Sequence, residues 1–349
     1  MAITLTDLKT PGAAFDTIID VRSPAEFAED HIPGAINLPA LSNAERAEVG
    51  TIYKQVSPFD ARKIGAAMVA RNVAHHLGTA LKDKDGGWRP LVYCWRGGQR
   101  SGSFAAILSQ IGWRAETVTG GYQSYRRLVH RALYETPVPH RIVLIDGNTG
   151  TAKTALLQAL AARGVQVIDL EGLANHRGSL LGAMAGGQPA QKTFESRVAT
   201  ALAEADPARP LVIEAESSKV GNLIVPPMLW EAMTAAPRIE IGAPLSARAA
   251  YLTRAYADMV AAPDALRARL QPLRRLRGHA VVDRWEALID AEEAEGLAAA
   301  LMEEHYDLAY ARSRAAHDRP MLGEVHAEAL DDAGIVGAAR QIEALLARL

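Results

Sequence analysis

The only cysteine of this 349-residue chain stands in Tyr93-Cys94-Trp95-Arg96-Gly97-Gly98-Gln99-Arg100-Ser101. An apolar strand-like run, residues 90–93, leads in, and a helix-like run from Ser101 leads out. Apart from Trp95, the residues between are basic, polar or glycine, which is not how a core strand continues. A glycine-bearing loop that opens a helix turns backbone N–H groups toward an anion, and the helix terminus adds partial positive charge. Both effects lower a thiol pKa, and Arg96 and Arg100 reinforce them. Cys94 and Arg100 are therefore the candidate catalytic pair. Trp95, Arg96, Gly97, Gly98, Gln99 and Ser101 form the candidate anion loop.

A second loop with chemistry in it runs Gly147-Asn148-Thr149-Gly150-Thr151-Ala152-Lys153-Thr154. It nearly matches the phosphate-binding pattern G-x-x-x-x-G-K-[ST], in which backbone N–H groups, a lysine and a helix dipole hold a diphosphate. Ala152 stands where the pattern has glycine. Alanine fits if that position has negative φ and is costly otherwise. Nucleotide hydrolysis would also need an acid that holds magnesium and a group that positions water. Asp169, Glu214 and Glu216 end strand-like runs and are candidates for the acid, so phosphate binding is better supported than turnover. A third feature is basic. Arg267, Arg269, Arg274, Arg275 and Arg277, with Arg284, His279 and Trp285 close by, suit a phosphate backbone and a stacked base. The bland alternative is a solvated helix face paired with local acids.

The elements around these loops alternate. Residues 17–22 read as a strand, and Ser23-Pro24-Ala25-Glu26 starts a helix through an N-cap, a proline in the first turn and a capping box. Residues 35–39, 90–93 and 113–118 read as further strands, the last closed by Gly120-Gly121. Residues 136–140 read as a linker. Strand 141–146, the Gly147 loop, a helix capped by Gly164 and strands 165–170 and 210–216 follow. From about residue 245 the chain reads as helical. Strands alternating with helices imply parallel sheets with ligands at the carboxyl ends of the strands. The expected division is an α/β domain over 1–135 and a second α/β domain over 136–349 with a helical C-terminal part. A net charge of −2 gives no global basic signal, so nucleic acid would be bound through a local patch. One cysteine excludes an intrachain disulfide framework and a multi-cysteine zinc site. The N-terminus lacks a signal-peptide pattern and no run is long enough to span a bilayer. A cytoplasmic monomer with no metal and no tightly bound cofactor is expected.

Asp20-Val21-Arg22-Ser23-Pro24-Ala25-Glu26-Phe27, with His31-Ile32-Pro33-Gly34-Ala35-Ile36-Asn37, resembles the N-terminal signature of rhodanese domains. Cys94 begins that domain's active-site loop, and Gly120-Gly121-Tyr122 resembles the glycine pair near its end. The stretches 49–59, 94–101, 169–179 and 188–195 carry a more specific resemblance, to the tRNA 2-selenouridine synthases, over most of the chain. This resemblance implies a rhodanese-like domain joined to a phosphate-loop domain. It also implies a reaction on tRNA bearing a wobble 2-thiouridine: geranyl diphosphate alkylates the sulfur, and selenophosphate then replaces the S-geranyl group. The family's rhodanese cysteine maps onto Cys94, which is thought to carry selenium. Selenophosphate then becomes the anion of the Cys94 loop, and the Gly147–Thr154 loop with Lys153 would hold the diphosphate of geranyl diphosphate. Asp169, Glu171, His176, Arg177 and Glu214 are expected to support that site.

Three other readings fit the residues. One is a sulfurtransferase coupled to a nucleotide-binding domain. Another is a cysteine phosphatase, since C-x5-R is its loop spacing, with Asp20 or Asp60 as general acid. The third is a tRNA- or nucleotide-binding regulator with an inert rhodanese domain, against which Cys94 argues.

Overall fold

The structure, a computed structural model, describes residues 2–9, 14–308 and 320–349. The chain forms two compact units, one of residues 1–136 with 189–204 and the other of 137–188 with 205–349.

The first unit is built on a parallel five-stranded sheet of order β1-β5-β4-β2-β3. Its elements are β1 (Ala2–Ile3), β2 (Thr17–Asp20), α1 (Pro24–Glu29), β3 (Ile36–Asn37), α2 (Asn43–Gln55), α3 (Pro58–Gly78), β4 (Pro90–Tyr93), α4 (Gln99–Ile111), β5 (Glu116–Val118) and α5 (Gly121–His130). β4 lies between two neighbours and is buried at all four positions, which is why it reads as a continuous apolar run. Its carboxyl end delivers Cys94 at the sheet's edge. The start of α1 follows the sequence signature, with the Ser23 N–H and hydroxyl both donating to the Glu26 carboxylate at 3.0 and 3.1 Å. β5 is shorter than the 113–118 run suggests. Trp113 turns into the core instead, edge-on to Trp88 with ring centroids 5.0 Å apart, and donates to the Asp85 carbonyl.

The second unit holds β6 (Ile142–Gly147), α6 (Lys153–Ala162), β7 (Gln166–Ile168) and α7 (Leu170–Ala174). The chain then leaves it. The next helix, α8 (Gln191–Glu204), belongs to the first unit, so the chain crosses between units not only at 136, beside the expected boundary, but twice more around this helix. The reason is chemical complementarity. Ser196 Oγ donates to Asp30 at 2.8 Å, Thr193 Oγ1 to the Glu29 carbonyl at 2.8 Å and Tyr134 Oη to Glu195 at 2.7 Å, while Arg126 pairs with Glu195. Those polar groups would stay unmatched if the helix packed elsewhere.

The chain returns with β8 (Leu211–Glu214), a short antiparallel hairpin of β9 (Lys219–Val220) and β10 (Leu223–Ile224), α9 (Pro227–Ala235) and β11 (Arg238–Gly242). Among the described residues the α-helices α10 (Leu245–Ala255), α11 (Ala257–Val260), α12 (Pro263–Leu270), α13 (Arg274–Arg277), α14 (His279–Asp290) and α15 (Ala294–Leu301) follow. The last elements are β12 (Met321–His326) and α16 (Asp332–Leu346). The helical reading beyond 245 therefore misses one strand. β12 pairs in parallel with β11 and completes a sheet of order β12-β11-β6-β8-β7. Its Met-Leu-Gly-Glu-Val-His sequence alternates too weakly to announce an edge strand. α12, α14 and α15 close a separate small core around Leu266, Leu270, Val282, Trp285, Leu297 and Leu301. Among the described residues no helix is long and apolar enough to cross a membrane.

Candidate active site

Cys94 follows β4 and is 3% exposed. Its sulfur accepts hydrogen bonds from the Gly98 N–H at 3.3 Å and the Ser101 hydroxyl at 3.2 Å. Burial alone would push the thiol up, but these donors and the nearby Arg100 charge outweigh it, so the thiol is held below its ordinary range. The loop is pinned from beneath. The carbonyls of Cys94 and Trp95 accept the Tyr122 and Gln123 N–H groups at 2.8 and 3.1 Å, so the first turn of α5 is spent on fixing the loop. Gly121 has φ +58°, and a Cβ there would fall inside the Cys94 carbonyl oxygen and the Gly97 nitrogen. Gly97 (φ +66°) would meet the Val118 carbonyl oxygen at 2.5 Å. The two glycines permit a backbone approach that no other residue allows.

Arg100, expected on the anion, donates both terminal nitrogens to Glu26 at 2.9 and 3.5 Å. The capping carboxylate of α1 therefore also steers the arginine of the loop. Below the loop, Arg22 is fully buried. It forms a fork with Asp20 (2.6–3.1 Å), donates to the Asp30 carbonyl and lies 3.9 Å over the Tyr122 ring. Asp20 is thus committed to a buried ion pair, which removes it as the general acid of a phosphatase. Asp60, the other candidate, is paired with Lys63 on its own helix. The sequence shows Arg22 only as the charged end of a strand. Its inward course had no local signal.

In the second unit, the Gly147–Thr154 loop joins the central strand β6 to α6. It sits beside the point where the sheet continues to β8 on one side and β11 on the other, the usual ligand crevice of such sheets. Ala152 has φ +60° and ψ +31°, so the costly alternative raised by the sequence is the one found. A left-handed alanine is strained by about 1–2 kcal/mol. Lys153 Nζ donates to the Gly147 carbonyl at 3.1 Å. Arg248, which nothing in the sequence marked, donates twice to the Thr149 carbonyl (2.9 and 2.7 Å) and forks with Asp307.

Carboxylates crowd this loop. Thr154 donates to Glu171 at 2.7 Å, and Glu214 accepts the Glu171 N–H at 2.8 Å while its second oxygen is buried without a partner. Burial, chiefly, raises Asp169, Glu171 and Glu214, and the last two also feel neighbouring carboxylates. Glu216, named among the possible acids, is pushed up to about 8 by burial and by Glu171. Asp169 also caps α7 through the Gly172 N–H. Among the described residues no group of acids, histidines or cysteines has the arrangement of a metal site.

A cleft of about 970 Å³, open to solvent, brings together the phosphate loop, Asp169, Glu171, His176 and Arg177. His176 Nδ1 accepts the Gly178 N–H, and burial with the Arg269 and Arg177 charges lowers its ring below the ordinary histidine range. Arg177 pairs with Asp258, lies 4.7 Å over the Tyr256 ring and keeps Nη1 buried without a partner. A second, smaller cavity, partly open to solvent, shares Thr149, Ser179, Leu252 and Tyr256 with that cleft. Its remaining walls are almost wholly apolar, among them Leu181, Met259, Val260, Leu266, Leu297 and Leu301. These positions look like ordinary helix cores in the sequence.

The basic stretch comes out largely spent. Arg267 pairs with Asp264 and Asp290, Arg274 with Asp283 and Glu286, and Arg277 binds His305. Asp264 lies on the same helix as Arg267, whereas Asp283, Glu286 and Asp290 come from α14. Arg275 remains exposed.

The fold and its two loops define a protein that joins a rhodanese-like cysteine loop to a nucleotide-binding-like α/β unit. The family profile of the rhodanese-like domain matches residues 4–128, and that of the tRNA 2-selenouridine synthase AAA domain matches residues 140–333. The tRNA 2-selenouridine synthase of Psychromonas ingrahamii is 35% identical over 72% of this chain and 67% of its own length. That of Chromohalobacter salexigens is 36% identical over 69% and 65%. The matched region thus spans about two thirds of these relatives. A solved rhodanese-related protein from Thermoplasma volcanium aligns with 36% of this chain and 90% of its own, at 24% identity and a TM-score of 0.24. The chain belongs to the tRNA 2-selenouridine synthase family.

Proposed function

We propose that this chain replaces the sulfur of wobble 2-thiouridine in tRNA by selenium, in two steps served by its two loops. In the first, the thiocarbonyl sulfur attacks C1 of geranyl diphosphate. The C–O bond breaks, diphosphate leaves and the base loses its N3 proton. Lys153, the Gly147–Thr154 amides and Arg177 take up the charge that grows on the diphosphate. In the second, selenium delivered as selenophosphate attacks C2 and geranyl thiol leaves. Water cleaves the P–Se bond to release phosphate, and selenium keeps its oxidation state throughout. A thioether-type group departs as a thiol, whereas the bare thiocarbonyl sulfur has no such exit. The Cys94 loop, with its aimed N–H and hydroxyl donors, suits the handling of selenium and the binding of a tetrahedral anion.

The observation that carries this reading is the apolar cavity that shares Thr149, Ser179, Leu252 and Tyr256 with the phosphate-loop cleft. A diphosphate held at the loop would place an attached prenyl chain beside that cavity, where each buried methylene gains about 0.8 kcal/mol. A nucleotide base and ribose would leave such walls without a match. The test is mass spectrometry of nucleosides from thiolated tRNA incubated with the chain. Geranyl diphosphate alone is expected to give S-geranyl-2-thiouridine, and both co-substrates 2-selenouridine. Selenouridine formed without geranyl diphosphate would remove the first step, and none under any condition would remove the reading.

A further inference from the structure

The first unit has an exposed apolar surface beside the Cys94 loop. Where α2 turns into α3, Tyr53, Val56 and Phe59 are 55%, 74% and 67% exposed. Large apolar side chains clustered this way mark a binding surface more often than chance exposure. Two cavities open here, and they share Leu41, Val49, Tyr53 and Arg100. The larger, about 1380 Å³ and open to solvent, reaches Gln99, Arg100 and Ser103 at the start of α4. Ser101, in that same turn, donates to the Cys94 sulfur, so the groove abuts the cysteine loop. The charged residues lining the two cavities are Arg46, Lys54, Arg62, Lys63 and Arg100; Arg46 and Arg100 share Glu26, and Lys63 stands 3.7 Å from Asp60, which leaves an excess of positive charge.

An apolar floor inside a basic rim fits a ligand that is greasy in one part and anionic in another. We infer that this groove holds the S-alkylated wobble nucleotide during selenation, with the alkyl chain on Tyr53, Val49 and Phe59 and the flanking phosphates on Lys54, Arg62 and Lys63. The inference rests on the two-step reading. It adds a second apolar subsite, for the intermediate, distinct from the cavity beside the phosphate loop that would serve the donor. Holding the chain at the cysteine loop fixes C2 of the base near the selenium donor and selects the alkylated nucleotide over the unreacted one.

The test compares two hairpin RNAs that differ only in a loop 2-thiouridine with or without its S-geranyl group. Tyr53→Ala and Phe59→Ala remove exposed side chains, and an unchanged melting transition checks that the fold survives. Each variant is expected to weaken binding of the geranylated hairpin, and to raise KM for its selenation, about tenfold, as loss of one apolar side-chain contact implies. Binding of the thiolated hairpin should stay within about twofold. Lys54→Ala should weaken both RNAs alike and reduce the slope of log K against log salt by about one. If wild type converts the geranylated hairpin and both variants do so with unchanged KM, the inference falls and the two-step reading stands. If wild type converts neither hairpin, both fall. A chain that self-associates, with Phe59→Ala dissociating it, would assign the face to a second copy and overturn the inference.

Discussion

The Cys94 loop and the Gly147–Thr154 loop occupy the same place in two different sheets: the carboxyl end of a central parallel strand, just before a helix. Their electrostatics are opposite. In the first, an N–H and a hydroxyl point at one sulfur and lower its pKa. In the second, four acids cluster behind the loop, Lys153 acting on only two of them, Glu171 and Glu216, and all four are raised. A helix N-terminus alone does not decide the charge of its neighbourhood; the aim of individual donors and the burial of individual acids do. Their backbones differ too. The Cys94 loop has glycine at its close approaches, whereas the phosphate loop holds alanine in the left-handed region.

The sharpest break of this comparison separates the loops by chemistry. Cys94→Ala is expected to abolish selenation and let geranylated tRNA accumulate. Lys153→Ala should lower geranylation about a hundredfold or more, the usual loss when one donor to a developing anion is removed. It should spare selenation of tRNA that already carries the geranyl group. Nucleoside mass spectrometry reads both, and equal loss of both steps in either variant would merge the two sites into one.

The next effect is structural and specific to the cysteine loop. Gly121→Ala must both adopt φ +58° and push aside the Cys94 carbonyl. A cost of roughly 2–4 kcal/mol follows from the left-handed penalty plus overpacking. Urea denaturation measures it, and iodoacetamide alkylation at pH 7 should slow as the sulfur loses its donors. A Gly121→Ala chain as stable as wild type would mean that the loop is not pinned in the way described.

How much of this was legible depends on the range of the interaction. Both loops announce themselves because their residues lie within eight or nine positions and geometry follows from spacing. The capping box at Ser23 and Glu26 is local and equally readable. Its second role, receiving Arg100 from 74 residues away, is not. Arg22 turning inward onto Tyr122, α8 joining the first unit, Arg248 reaching the Thr149 carbonyl and the apolar cavity all arise between distant segments, where sequence pattern carries no register. The ion pairs of Arg267 and Arg274 with Asp283, Glu286 and Asp290 were hidden for the same reason: those acids are neighbours in space.

Acid–base linkage gives a smaller difference, of opposite sign in the two loops. The Cys94 thiol is lowered on folding, so it favours the folded chain above the ordinary thiol range and that gain is lost as pH falls through its lowered value. Glu216 is raised to about 8, so the folded chain binds its proton more tightly than the unfolded chain does. Its contribution to stability therefore falls as pH rises from the ordinary carboxyl range toward 8. Glu216→Gln should flatten that decline in urea midpoints measured across the interval, whereas Ser101→Ala should not. An unchanged slope in Glu216→Gln would mean that the acid pocket is not strained by charge.

The smallest expected effect concerns the alanine that breaks the phosphate-loop pattern. Ala152→Gly relieves about 1–2 kcal/mol of left-handed strain. It also removes a methyl that is 97% buried in the second unit's core, worth about 0.8 kcal/mol, and adds unfolded-chain freedom worth about 0.5–1 kcal/mol. These nearly cancel, so urea denaturation should find the variant within about 1 kcal/mol of wild type. That near-balance explains how alanine persists at a position whose geometry suits glycine: the methyl fills core space, and the strain it imposes is offset by what it buries. A gain well above 1 kcal/mol would say instead that the alanine is strained without compensation, and the contrast between a relaxed cysteine loop and a tense phosphate loop would then be sharper still.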